Sequence, residues 1–146
     1  MMADKTRISC LGCGATNHYP LNAGGKAVRC GRCKTALPMP GLALEPGAAQ
    51  VATLIQSGGL PVLIDFYSPT CLPCHRMHPI IESLAKRRAG ELMVVKVNTE
   101  ENAELAGAFR IQAVPTFVVI RRGTEVGRTS GAMPEMDFSL WVASRT

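Results

Sequence analysis

The chain has 146 residues, 47% of them hydrophobic, a net charge of +5 and six cysteines, enough for one ordinary domain or a domain plus a small module. No stretch approaches the roughly 18 unbroken apolar residues of a membrane-spanning helix. The start (residues 1–7) is polar with no apolar segment behind it, so no secretory signal is expected. A cytoplasmic location follows as the expectation, and in a reducing compartment paired cysteines are read as metal ligands or redox groups rather than structural cross-links.

From the N-terminus, the first two cysteine pairs lie among glycines and polar residues, where little core can form and a staple is needed. Cys10-x-x-Cys13, sixteen residues, then Cys30-x-x-Cys33 has the spacing of a four-cysteine zinc site. Two tight turns, each giving two thiolates, close a tetrahedron, and Gly14 and Gly31 suit such turns. Four protein ligands leave no open position, so one structural Zn²⁺ is expected and no organic cofactor. His18 is a possible substitute ligand that four cysteines make unnecessary. Residues 1–45 carry six cations against two acids, and the remainder ten against nine. Basic charge here suits either nucleic acid or the offset of a zinc–thiolate site of about −2. Only Tyr19 offers an aromatic among the basic positions, which weighs against nucleic acid.

Residues 37–47 hold Pro38, Pro40, Gly41, Pro46 and Gly47 and read as a linker. The expected division is 1–43 for the cysteine-rich module and linker, and 44–146 for the main domain. Val51, Leu54 and Ile55 share a helical face that ends at Gly58-Gly59. Residues 62–67 read as a buried strand, apolar apart from Asp65. Met77, Ile80, Ile81 and Leu84 have helical spacing over about 72–88, and Met77 is expected in the core. A second buried strand covers 92–97, and a short helix 103–109. Residues 116–120 and 125–129 flank Arg122-Gly123 as a hairpin with a solvated tip. A last helix over about 134–144 offers Phe138, Leu140 and Trp141 for packing. The order αβαβαββα predicts an α/β fold with a central mixed sheet covered by helices.

Cys71-Leu72-Pro73-Cys74 falls where the first strand gives way to a helix. Free N–H groups and the macrodipole at a helix start favour a thiolate over a thiol of ordinary pKa about 8.5. Cys71 is therefore the expected nucleophile. Cys74, three residues on and on the same helix face, can resolve a mixed disulfide. Pro73 sits in the first turn, where its missing N–H costs nothing. Asp65, a carboxyl in an apolar strand, should have a raised pKa and serve as a base. His75 and His78 flank the helix start. His75 would raise thiolate character if charged, but reads first as a surface histidine.

Residues 48–146 resemble the thioredoxin family. Ile64-Asp65-Phe66, the C-x-P-C turn, Pro79, Lys96-Val97-Asn98, Val114-Pro115-Thr116 and the Gly131 loop come in that family's order and spacing. The resemblance implies a thioredoxin fold preceded by a small zinc ribbon, as in bacterial thioredoxins of the second type (thioredoxin-2), with no cofactor beyond zinc. It also implies a cis bond before Pro115, proton transfer from Cys74 to Asp65, and a lysine (Lys96) near that aspartate. Substrate docking is expected at Thr70, Leu72, Pro73, Val114, Pro115 and Gly131. Two positions depart from the family: Thr70 stands for its usual tryptophan and Leu72 for its glycine. The expected activity is protein-disulfide reduction on disulfide-containing proteins, with an NADPH-dependent thioredoxin reductase as electron donor and a monomeric state. The rival readings are a disulfide oxidase or isomerase, and a redox-sensing module that binds through the basic ribbon.

Overall fold

A computed structural model describes residues 5–146; the first four residues of the polar start lie outside the described residues. Strands β1 (Lys5–Ser9) and β2 (Thr16–Pro20) form an antiparallel hairpin across the first cysteine pair. Then follow β3 (Ala43–Leu44), α1 (Ala48–Gln56), β4 (Val62–Tyr67), α2 (Leu72–Arg87), β5 (Met93–Asn98), α3 (Ala103–Ala108), β6 (Thr116–Arg121), β7 (Thr124–Ser130) and α4 (Glu135–Arg145). One mixed sheet of order β3-β5-β4-β6-β7 results, with β3 and β4 parallel to β5, and β6 antiparallel to both β4 and β7. The mixed sheet covered by helices is the arrangement that the alternating strand and helix signals predict.

The period of two in β4 divides the core. Val62, Ile64 and Phe66 face one side, with Val51 and Leu54 of α1 and Phe109 beyond α3. Leu63 faces the other, with Met77, Ile81 and Leu84 of α2 and Phe138 and Val142 of α4. Asp65 alternates with Ile64 and Phe66, so it lies on the α2 side. In α4 the packed pair is Phe138 and Val142, with Trp141 half-buried, while Leu140 is 64% exposed. The sequence expectation placed Leu140 in that packing. Residues four apart share a helix face, and two apart do not.

Two features of the N-terminal segment depart from a module isolated by a linker. Inside the stretch read as linker, Ala43 and Leu44 pair with Val94 and Val95 and add an edge strand. Ile8, Tyr19 and Leu37 are buried in the same cluster as Val51 and Leu54. Burying an apolar side chain of that size is worth about 1.5–3 kcal/mol, so the hairpin is packed against the sheet domain and not isolated from it. It sits where β4 and β5 begin. The Leu60 amide donates to Ser9 Oγ at 3.3 Å. Gly90, at φ 84°, lies so close to Thr6 that a side chain there would collide with it. The cysteine pair of α2 is at the opposite end of these strands.

Candidate functional site

Cys71 caps α2: the Cys74 amide donates to Cys71 Sγ at 3.2 Å, and Pro73 lies in the first turn. The two cysteines are joined as a disulfide, with Cα atoms 5.2 Å apart. Cys74 is 4% exposed, whereas Cys71 is half-buried at the rim. The Val114–Pro115 peptide is cis, and Cys71 Sγ lies 3.6 Å from the Val114 carbonyl oxygen. The Gly131 amide donates to the Pro115 carbonyl at 2.9 Å, tying the loop after β7 to the cis peptide. Thr70, Leu72 and Pro73 are exposed around the cysteines, Leu72 most of all at 71%. A rim that sets a half-buried disulfide sulfur beside the cis peptide and an exposed apolar knob can meet a substrate disulfide and exchange with it.

Behind Cys74 lies a cavity of about 270 Å³ lined by Glu45, Tyr67, Ser68, Pro69, Cys74, His75, His78 and Lys96. Asp65, paired across the sheet with Lys96, is 2% exposed. Burial pushes its carboxyl up from the ordinary 3.8 to about 7, against the pull of Lys96 and with a further push from Glu45. That poises it to exchange a proton near neutral pH. The Tyr67 hydroxyl donates to Glu45, and burial followed by that carboxylate raises the phenol's pKa. The Lys96 ammonium donates to the His78 imidazole and lies 5.1 Å from the Tyr67 ring centroid. Burial and then Lys96 lower the pKa of His78. His75 meets the Pro69 carbonyl at 2.7 Å, which directs its ring at the loop before Cys71.

Glu45, Tyr67 and the cavity role of His78 were not legible in the sequence. Glu45 follows Ala43-Leu44 in a Pro/Gly-rich stretch that masks a two-residue strand. The usable signal was the short apolar run before it.

The other four cysteines form two turns of the same design. Gly14 N–H donates to the Cys10 carbonyl at 2.9 Å, and Lys34 N–H to the Cys30 carbonyl at 3.0 Å. Gly12 N–H reaches Cys10 Sγ, and Arg32 N–H reaches Cys30 Sγ, both at 3.3 Å. Gly14 and Lys34 take positive φ at 79° and 67°. The left-handed position of the second turn is therefore Lys34 and not Gly31, because it falls just after the second cysteine of each pair. The four sulfurs lie within 4.8 Å of one another, with Cys10–Cys33 at 3.6 Å and Cys13–Cys30 at 3.7 Å. A tetrahedral ion with bonds of about 2.3 Å sets its sulfurs about 3.8 Å apart, so these residues are placed to hold one metal ion. The donor set of four thiolates suits zinc. Hydrogen bonds from the Cys33 backbone and then from Asn17 draw the Cys30 thiol down to about 6, while Cys13, facing the other three sulfurs, is pushed up to about 11. His18 is exposed on β2 and outside the cluster.

Comparison with known proteins agrees with this geometry. The profile of the family described as Thioredoxin matches residues 47–144. Thioredoxin C-3 of Corynebacterium nephridii is 34% identical over 135 residues, covering 92% of each chain. An alignment of that length cannot avoid the cysteine-rich segment. Thioredoxin 1 of a Nostoc species is 38% identical over 80 residues, 55% of this chain and 75% of the relative. Among solved structures, Fasciola hepatica thioredoxin superposes with a TM-score of 0.65 at 33% identity, over 72% of this chain and all of that one. No helix among the described residues is long and apolar enough to cross a membrane.

Proposed function

The chain belongs to the thioredoxin family and is a protein-disulfide oxidoreductase, and from that premise we propose a general disulfide reductase of the zinc-ribbon, second-type bacterial class (thioredoxin-2). The observation that carries the proposal is the Cys71–Cys74 disulfide at the start of α2, with Cys74 buried and the buried Asp65 on the face of the sheet that α2 covers. The Cys71 thiolate, favoured at the helix start, attacks one sulfur of a substrate disulfide and expels the other as a thiolate. This leaves a mixed disulfide on Cys71. Asp65 takes the proton of the Cys74 thiol, and Cys74 attacks Cys71 Sγ. The second substrate thiol departs, and the protein is left oxidised by two electrons. An NADPH-dependent thioredoxin reductase returns the dithiol.

Substrate backbone docks along Val114, Pro115 and the Gly131 loop, with Thr70, Leu72 and Pro73 in contact. Cys10, Cys13, Cys30 and Cys33 hold one structural Zn²⁺, which cross-braces the hairpin and supplies no redox chemistry. The module spans residues 1–43 and the catalytic domain 44–146. The protein acts as a cytoplasmic monomer. Exposed Leu72 supports a preference for protein over small disulfides, since it adds apolar contact area beside the reacting sulfur.

Reduction of insulin disulfides tests the reading, first with dithiothreitol and then with NADPH and a thioredoxin reductase. Turnover is expected in both, and its absence in both would overturn it.

A further inference from the structure

Asp65 and Lys96 are direct partners in the parallel β4–β5 register, so their side chains leave the sheet side by side on the α2 face. Carrying the β3–β5 register on by one residue sets Glu45 on the other flank of Lys96. A buried lysine between two carboxylates should close on one of them. It does not: the ion pairs among the described residues are Arg87–Glu135, Arg88–Glu91 and Arg128–Glu125, and neither Asp65 nor Glu45 is within 4 Å of the ammonium. The ammonium instead lies against the His78 imidazole, close to both ring nitrogens, one turn beyond Cys74 on α2, and rests over the Tyr67 ring. Tyr67 is in turn held by its hydroxyl bond to Glu45, and its ring meets His78 edge-on with centroids 6.4 Å apart.

We propose that His78 is a positioning residue that holds the Lys96 ammonium off the Asp65 carboxyl, and so sets the pH range over which Asp65 serves Cys74. The inference rests on the reading of Asp65 as the base. Neutral imidazole is the form that tolerates an ammonium against it, and partial desolvation of this exposed side chain together with Lys96 favours that form. Glu82 and His75 on α2 and Glu45 beyond β3 also face His78, Glu82 and Glu45 favouring its protonation and His75 opposing it. Asp65 is faced by Lys96 and Glu45. If the imidazole is lost, the ammonium falls onto one flank. Closing on Asp65 stabilises the carboxylate directly, and closing on Glu45 cancels the repulsion that Glu45 exerts. Both landings lower the pH at which Asp65 gives up its proton.

The test is the ¹³C titration of the Asp65 carboxyl in reduced full-length protein, with the rate of Cys74 attack on a Cys71 mixed disulfide followed over the same pH range. His78 is exposed on α2, so the core tolerates its replacement. His78→Ala should lower the Asp65 midpoint by about one unit or more and shift the acid limb of the rate profile equally. His78→Gln, which keeps an acceptor, should stay near wild type. In a Lys96→Met background His78→Ala should change nothing further. An unmoved midpoint in His78→Ala, or the same fall without Lys96, would overturn the proposal. A rate profile indifferent to Asp65→Asn would instead overturn the role of Asp65, and the titration reports on His78 in either case.

Discussion

The same short motif, two cysteines three apart, occurs three times in this chain and folds in two ways. At residues 71–74 it opens a helix, and its sulfurs bond to each other. At 10–13 and 30–33 it forms tight turns with a left-handed residue after the second cysteine, and each sulfur's close neighbour belongs to the opposite pair. A helical start brings a single pair together at the end of α2, on the face of the sheet that also carries the buried Asp65. Two turns facing each other converge four sulfurs and aim backbone amides at two of them. What divides redox chemistry from metal binding is therefore the backbone that follows the first cysteine and the presence of a second pair across from it.

The largest expected effect breaks the redox side. Cys71→Ser should reduce disulfide reduction to background, and Cys74→Ser should accumulate mixed disulfides with substrates, seen as reductant-sensitive adducts on gels. The next breaks the metal side. Protein purified reduced should hold about one zinc per chain, and Cys10→Ser should hold none. Structural zinc typically contributes roughly 10–16 kcal/mol of apparent binding free energy. Its loss should unfold the hairpin, and because Ile8, Tyr19 and Leu37 pack on the main core, should also lower the melting temperature of the whole chain. Metal analysis and thermal denaturation measure both, and a metal-free Cys10→Ser with unchanged melting would show that the hairpin lends the sheet domain no stability.

Asp65→Asn sharpens the comparison at the buried carboxyl of β4. Between the ordinary 3.8 and about 7 the folded protein keeps a proton that the unfolded chain releases. Asp65 therefore lowers stability as pH rises through that window, by roughly 4 kcal/mol in total. The asparagine variant should be more stable than wild type at pH 8 by up to that amount, with the difference vanishing toward pH 4. It should also resolve mixed disulfides more slowly near neutral pH. Denaturant titrations across pH check the first, and single-turnover kinetics the second.

The smallest effect concerns the docking face. Leu72→Gly removes a side chain that is 71% exposed. Burying a leucine fully is worth about 1.5–3 kcal/mol, so efficiency on protein substrates should fall about tenfold. The helix-propensity difference, up to about 1 kcal/mol, acts on oxidised and reduced forms alike and should move the reduction potential by no more than about 20 mV. A larger move in potential than in efficiency would place Leu72 in tuning rather than docking.

Much of this contrast was legible in the sequence, because it rests on local signals. The strand before Cys71, the apolar spacing from Met77 to Leu84 and the paired spacing of the first four cysteines each follow from one short window. What the sequence hid depends on contacts between distant segments. Glu45 looked like part of a linker because Pro46 and Gly47 follow it, and only the pairing of Ala43 and Leu44 with β5 brings it to the cavity. His78 read only as flanking the helix start, and the ammonium against it arises from β5. The burial of Tyr19 and Leu37 against α1 cannot be read from a segment whose own composition is polar.

Six cysteines are divided by environment, so the most direct measurement is differential alkylation of native, reduced full-length protein mapped by mass spectrometry. Cys71 should be labelled first and Cys74 much more slowly. Cys10, Cys13, Cys30 and Cys33 should stay unlabelled until a chelator removes zinc, and then react together. Early labelling of the module cysteines, or labelling of Cys74 ahead of Cys71, would contradict the assignment.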